Sequence, residues 1–488
     1  MGEEEPMSEV DAVVVGSGPN GLAAAVTLAR AGLSVEVYER SETPGGGLRT
    51  LPLLDSDVVH DVCAAVHPMV WPSRFMRRFD LAGRGVRMLR PELAYAHPMP
   101  EGGAGLAHAD LERTCAGLGE DGPRWRRLLG PLADRGRGTA DLVLSDLRSP
   151  PADPWAAALF GPRVLAQRAG GGPLRTERAR ALLTGVAGHV IGPLPSLSGA
   201  AVSLLLGHLA HTPGGWPIPE GGSAAVADAL VADLLAHGGR IRTGHEVTDL
   251  RELPPARAML LDVAPRGLLQ MGGELLPDRY RAALDRFRYA PGAAKADFVV
   301  SGPVPWSDPE VGRAGTVHLG GTRAQMFHSE SETVRGRRVE EPFVLLVDPA
   351  VTDPSREVNG LRPVWAYAHV PNGDPRDPVD LVRRRIETFA PGFTDTVVAA
   401  RGVPAARMAE YNPNHVGGDI AAGAMTVWQT LARPVPAVDP YRTPLGGVYL
   451  CSSSTPPGPG VHGVSGYLAA LSALRREFGV RDVPDLAP

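Results

Sequence analysis

The chain has 488 residues, more than one hydrophobic core usually organises, so two or three domains are expected. Hydrophobic residues make up 43% and charged residues 21%, the balance of an ordinary soluble globular protein, and a net charge of −5 leaves no electrostatic footprint for nucleic acid. Cys63, Cys115 and Cys451 are far apart and form no CxxC pair, which argues against a disulfide framework or a structural zinc site, so no metal is expected. The acidic start, MGEEEPMSEV, lacks a basic n-region and an apolar h-region; no secretory signal is read there, and a cytoplasmic location is expected.

Residues 12–15 form a short β-branched run suited to a buried parallel strand. Gly16, Gly18 and Gly21 follow as GxGxxG, with Pro19 inside the turn. Residues 22–31 then read as a helix, 35–38 as a second strand, and Glu39-Arg40 ends it. Strand, glycine turn, helix, strand and acid in this order predict a dinucleotide site. The turn lets the backbone approach a pyrophosphate at the helix N-terminus, and the carboxylate takes the ribose hydroxyls. A carboxylate at Glu39 argues against a 2′-phosphate, leaving NAD and FAD.

The next segment, ERSETPGGGLRT, places Gly45, Gly46, Arg49 and Thr50 just after the acid. It resembles the GGxxRT segment of the FAD-dependent phytoene desaturase and flavin amine oxidase superfamily, which runs along the FAD pyrophosphate. Two later stretches share the resemblance. WPIPEGGSAAVADALVADLLAHGGRIRTGHEVTDL has the Pro-x-Gly-Gly turn, a helix and a strand carrying Val247, which would hold the adenine. TPLGGVYLCSSSTPPGPGVHGVSGYLAALSAL matches the closing FAD motif, a strand running through Ser452, Ser453, Gly460, Val461 and Gly463 into a helix. YNPNHVGGDIAAG and CSSSTPPGPGVHG are similar to the phytoene-dehydrogenase-like oxidoreductases related to pyridine nucleotide-disulfide oxidoreductase domain-containing protein 2. No second GxGxxG set for a nicotinamide nucleotide and no redox CxxxxC pair are read, so the disulfide part of that name does not carry over.

The resemblance implies an α/β protein with a discontinuous Rossmann-like (GR2-type) FAD-binding domain over 8–75, 215–290 and 430–488. The α+β substrate domain would span 76–214 and 291–429, with a mainly antiparallel sheet. Residues 76–214 read as helices broken by Pro/Gly loops, and 291–429 as antiparallel strands with an amphipathic helix at 377–393. The uncharged stretch 185–210 is long enough to span a bilayer, but Pro193 and Pro195 interrupt it, so it is expected to line an apolar cavity. Residues 154–168 suit a membrane surface, giving peripheral contact as an expectation. The oligomeric state is left open.

Lys295 is the chain's sole lysine. It lies in a strand-like run beside Asp297, where an exposed i, i+2 ion pair is one reading. The resemblance implies another, because relatives carry on this strand a lysine that hydrogen-bonds a water near flavin N5. His462 and His67 are further catalytic candidates, each weighed against simple packing. Tyr411, Asn412 and Trp428 are expected to line the substrate pocket, while Asn414 and Asp419 suit either that pocket or a turn. The resemblance implies dissociable, non-covalent FAD and hydride abstraction from a hydrophobic, uncharged small molecule, with reoxidation by oxygen or a quinone-like acceptor. An amine oxidase and a catalytically silent flavin-binding regulatory or scaffold protein are the alternatives.

Overall fold

The computed structural model describes residues 10–147, 149–168 and 172–488; the N-terminal segment read above for a signal, with the first residues of the expected nucleotide domain, lies outside them. Ala12–Val15 and its neighbours are short runs buried on both faces, as a parallel sheet requires. This sheet has the order Val448–Leu450, Ala258–Leu261, Ala12–Val15, Val35–Tyr38 and Arg240–Arg242, and all its pairings are parallel. Helices Pro19–Arg30, Ala224–Ala236 and Val464–Glu477 cover one face through Leu22, Val26, Leu230 and Ala470. The strand ends at Gly16, Glu39, Asp262 and Ser452 all line one cavity, as the geometry of open parallel sheets predicts.

The second sheet has seven strands, ordered Val397–Val403, Gly292–Val300, Arg362–Val370, Val344–Val347, Ala314–Leu319, Leu93–Pro98 and Ala104–His108. Its pairings are antiparallel except where Ala314–Leu319 runs parallel to Leu93–Pro98. Alternation splits its faces. Ala294, Ala296, Phe298 and Val300 pack with Val382 and Ile386 of helix Val379–Phe389, while Lys295 and Asp297 lie on the opposite side with Trp365 and Tyr367. The expected α/β class, with a Rossmann-like parallel sheet and an α+β part rich in antiparallel strands, is the observed one.

Three local differences stand out. Leu93–Pro98 and Ala104–His108 are strands inside a stretch read as helical. Val247 is not on a strand, because Gly244 turns the chain at φ +65° and the His245 amide donates to the Glu39 carbonyl instead. The uncharged 185–210 stretch ends one helix at Ala187 and starts another, Leu197–Leu209. Among the described residues no helix is long and apolar enough to cross a membrane.

Candidate active site

A cavity of about 1000 Å³ runs from the glycine loop of the first sheet to the inner face of the second. At the loop, Gly18 caps helix Pro19–Arg30 with Pro19 in its first turn, the position where a missing N–H costs nothing. A Cβ on Gly21 would lie 2.0 Å from the Gly16 carbonyl oxygen, so only glycine lets the helix meet the strand end. Glu39 accepts from the Ser17 amide at 2.9 Å and its hydroxyl at 2.6 Å, and from the Ser41 amide at 2.8 Å. Its carboxylate is thereby fixed at the cavity edge beside Arg40, which pairs with Glu246 at 3.5 Å.

The GGxxRT residues take two kinds of position. Gly46 and Arg49 line the cavity, where Tyr411 clasps them: its hydroxyl donates to the Gly46 carbonyl at 2.7 Å and its ring lies 4.5 Å under the Arg49 guanidinium. Gly45 and Thr50 stand behind the wall. The Gly45 amide donates to Ser17, and the Thr50 hydroxyl donates to Asp61 while accepting from the Ala224 amide at 3.0 Å. Val247, Ser452, Ser453, Gly460 and Val461 line the cavity; Ser453 accepts from Asn20 at 3.1 Å. Gly463, at φ +66°, instead begins the closing helix and packs against Phe75.

Sequence reasoning missed Asp262, the strand-end acid that accepts from the Gly21 amide at 2.9 Å. Burial, with Glu39 nearby, raises its carboxyl to about 7 against the Gly21 hydrogen bond. Its position just past a central parallel strand was the available signal. Together, bare glycine backbone, a helix N-terminus, a fixed carboxylate and serine hydroxyls form a cradle whose donor set fits a dinucleotide such as FAD. A Cβ on Gly18 would fill it, at 2.6 Å from Asp262.

The far end is apolar, walled by Leu142, Phe160, Val164, Leu205, Trp216 and Trp365. His67 lines it, its Nε2 2.8 Å from the Ser223 hydroxyl, and burial lowers it to about 4, so it is neutral. Cys63, also unforeseen, sits 4.0 Å from His415 Nε2; burial raises its thiol to about 11, which keeps it protonated rather than nucleophilic. Lys295 does not itself line the cavity. It is buried in an ion pair with Asp297, 5.7 Å from the Trp365 ring, and Cys63, Trp365 and Tyr367 form the adjacent wall. Although burial opposes it, Lys295 and His60 hold the Asp297 carboxyl below its ordinary value. The exposed ion pair read from sequence is therefore an interior one.

Two expectations are corrected. His462 lies outside the cavity wall: its Nε2 meets the Gly458 carbonyl at 3.1 Å and its Nδ1 accepts from the Val464 amide at 3.0 Å, so it staples the loop to the closing helix. Trp428 is 69% exposed, because helix Val427–Leu431 turns Val427, Thr430 and Leu431 to the cavity and the indole outward. Asn412 lines the cavity, as does Asn414, which bridges the Ala264 amide and the Asp262 carbonyl. Asp419 accepts from the amides of Ala290, Ala421 and Gly423 and serves the turn.

Residues 14–79 match the family model described as an NAD(P)-binding Rossmann-like domain. The sequence is 24% identical to pyridine nucleotide-disulfide oxidoreductase domain-containing protein 2 of Rattus norvegicus, over 96% of this chain and 94% of that one. It is 27% identical to hydroxyneurosporene desaturase of Cereibacter sphaeroides, over 95% of this chain and 98% of that one. Among solved structures, cyclohexylamine oxidase from Brevibacterium oxydans IH-35A shares the fold with a TM-score of 0.59 at 16% identity, covering 97% of this chain and all of that one.

Proposed function

We propose that this chain, a flavin-type oxidoreductase of the desaturase and amine oxidase superfamily, binds FAD non-covalently and oxidises a hydrophobic, uncharged small molecule at a C–H bond next to C=C. The observation that carries the reading is the continuity of the cavity: one space is lined by the glycine loop and Glu39 at one end and by Phe160, Leu205 and Trp365 at the other. Gly16, Gly18, Pro19, Glu39, Gly46, Arg49, Ser452, Ser453, Gly460 and Val461 would hold the dinucleotide. Bound FAD would supply the hydride acceptor.

The chain's own residues would do the rest. The apolar wall excludes water and desolvates the substrate, so that a carbocation-like carbon is not quenched. The acidic residues of the lining, Glu39, Glu246 and Asp262, belong to the nucleotide end. Among the described residues the apolar end therefore offers no carboxylate to hold an ammonium, which favours a neutral substrate over an amine. The Lys295 ammonium, one layer behind Cys63 and Trp365, would act through the dipole of its ion pair with Asp297 where negative charge develops. Oxygen or a quinone-like acceptor would reoxidise the flavin, since the full order of strand, glycine turn, helix, strand and acid that would serve a nicotinamide nucleotide is read only once in the sequence.

Helix Pro154–Gln167 supports membrane-surface contact. Phe160 and Val164 line the cavity, whereas Trp155 and Leu165 are 70% and 62% exposed. A hydrophobic substrate would enter from the bilayer beside this helix. The test of function is anaerobic: FAD-loaded protein is mixed with polyenes, allylic terpenoids, alcohols and amines, and loss of the oxidised flavin band is followed. Bleaching by unsaturated hydrocarbons is expected; bleaching by amines alone would overturn the reading in favour of an amine oxidase.

A further inference from the structure

The dinucleotide cradle contains an acid whose charge would repel the ligand. Asp262 follows strand Ala258–Leu261, lies under the glycine loop and lines the cavity. Its backbone is held on both sides: its amide donates to the Val15 carbonyl at 2.8 Å, and its carbonyl accepts from Asn414 Nδ2 at 2.9 Å. The side chain is built into the loop as closely. Oδ2 accepts at 2.9 Å from the amide of Gly21, in the first turn of helix Pro19–Arg30, and a Cβ on Gly18 would lie 2.6 Å from it. Oδ1 has no partner among the described residues.

The surrounding charges leave this carboxyl without a cation. Helix Pro19–Arg30 has no acid in its first turn, and its Arg30 stands at the far end. The strand end at Glu39 adds a carboxylate, while Cys451, past strand Val448–Leu450, is a thiol that burial keeps protonated. In the 412–415 segment, burial keeps His415 neutral. Arg40 pairs with Glu246 and Arg49 lies over Tyr411, so both are engaged elsewhere. A pyrophosphate diester stays ionised at every pH near neutral. Set beside an ionised Asp262 in this buried place it would be repelled, whereas a neutral carboxyl offers it an O–H donor. Burial and Glu39 already lift the Asp262 carboxyl to about 7, and an anionic ligand lifts it further.

We propose that Asp262 binds the FAD pyrophosphate as a neutral acid, accepting from Gly21 through Oδ2 and donating to the ligand through Oδ1, with its proton drawn from solvent as FAD enters. The inference rests on the FAD reading above. The sign of the coupling follows from linkage. The free protein gives up this proton as pH rises through 7, and the complex gives it up only at higher pH. Between those limits binding takes up a proton, so affinity for FAD falls as pH rises. Glu39 does not share this role, because the amides of Ser17 and Ser41 and the Ser17 hydroxyl all donate to its carboxylate.

The experiment titrates FAD into the full-length, ligand-free protein between pH 6.5 and 8.5, with quenching of flavin fluorescence giving Kd. Calorimetry at pH 8 in buffers of different ionisation enthalpy counts the protons exchanged. For the wild type, binding is expected to be roughly tenfold or more weaker at pH 8.5 than at pH 6.5, with about one proton taken up per FAD at pH 8. Asp262→Asn keeps an acceptor for Gly21 and a donor for the ligand but cannot ionise. It is expected to hold the wild-type pH 6.5 affinity within about twofold across the range, without proton uptake. His245 also lines this end, edge-on to Tyr38 at 5.0 Å, and His245→Gln is expected to keep the wild-type slope. Wild-type binding without proton uptake, an unchanged slope in Asp262→Asn, or a slope lost in His245→Gln overturns the proposal. If the wild type binds no FAD at any of these pH values, the FAD reading falls and the Asp262 assignment with it, whereas pH-independent binding defeats the Asp262 assignment alone.

Discussion

Lys295 and Asp297 share a buried site, each less than 6% exposed in its side chain. Removing one partner leaves the other as an uncompensated interior charge, so Lys295→Met is expected to destabilise the protein by about 3–5 kcal/mol. Lys295→Met with Asp297→Asn should recover much of that loss, and chemical denaturation of the two variants checks it. Any kinetic effect of Lys295 belongs to the double variant, where folding is no longer the confounding cause. Asp262 makes an opposite case. Its carboxyl, raised by burial to about 7 from an ordinary 3.8, binds a proton more readily folded than unfolded. Its contribution is complete below about pH 4 and is lost as pH rises through 7, at a cost of up to about 4 kcal/mol at pH 8. Asp262→Asn should raise the melting temperature at pH 8 and leave it unchanged near pH 4, measured by calorimetry on the ligand-free protein. Neither assignment was readable from composition: the lysine was visible as an oddity, but whether its neighbour paired with it in water or in the interior depends on the strands packed over it.

At the scale of elements, the first strand, helix and second strand were legible because their signals are local: glycine spacing, a β-branched run and an acid close by. Strand Leu93–Pro98 was not. It is buried on both faces, so it shows no alternation, and its parallel partner Ala314–Leu319 lies more than two hundred residues away. The contact between His189 and His318 is illegible for the same reason, since it joins positions 129 residues apart. Helix Pro154–Gln167 carries a prediction of its own. Replacing Trp155 and Leu165 by serine should lower co-sedimentation with liposomes several-fold while changing stability by no more than about 0.5 kcal/mol, as for other exposed positions. Undiminished liposome binding would remove the surface-contact reading of this helix.

The molecule as a whole carries a reserve of neutral imidazoles. Burial lowers His67, His97, His208, His211, His415 and His462 to about 4 and His189 to about 3, and holds His318 well below its ordinary value. In the unfolded chain the same rings titrate near 6.5. Their stabilising effect is therefore present above that pH and lost as pH falls towards 4. At pH 5 each of the seven rings other than His318 costs roughly 2 kcal/mol, and together they are comparable to the roughly 5–15 kcal/mol stability of a typical domain. Cooperative acid unfolding between pH 6.5 and 5, followed by tryptophan fluorescence, is the expected result; a native spectrum at pH 4.5 would mean that the rings find proton acceptors on charging.

The cavity wall also divides by origin. Its nucleotide end is built from residues near 15–49, 245–271 and 452–461, whereas much of its apolar wall comes from one stretch of sequence, 142–206, whose described residues add no strand to either sheet. A single crossover on each side of that run would exchange much of the apolar wall and none of the dinucleotide cradle. A laboratory chimera made at those two junctions would inherit the donor's substrate preference on the recipient's dinucleotide cradle.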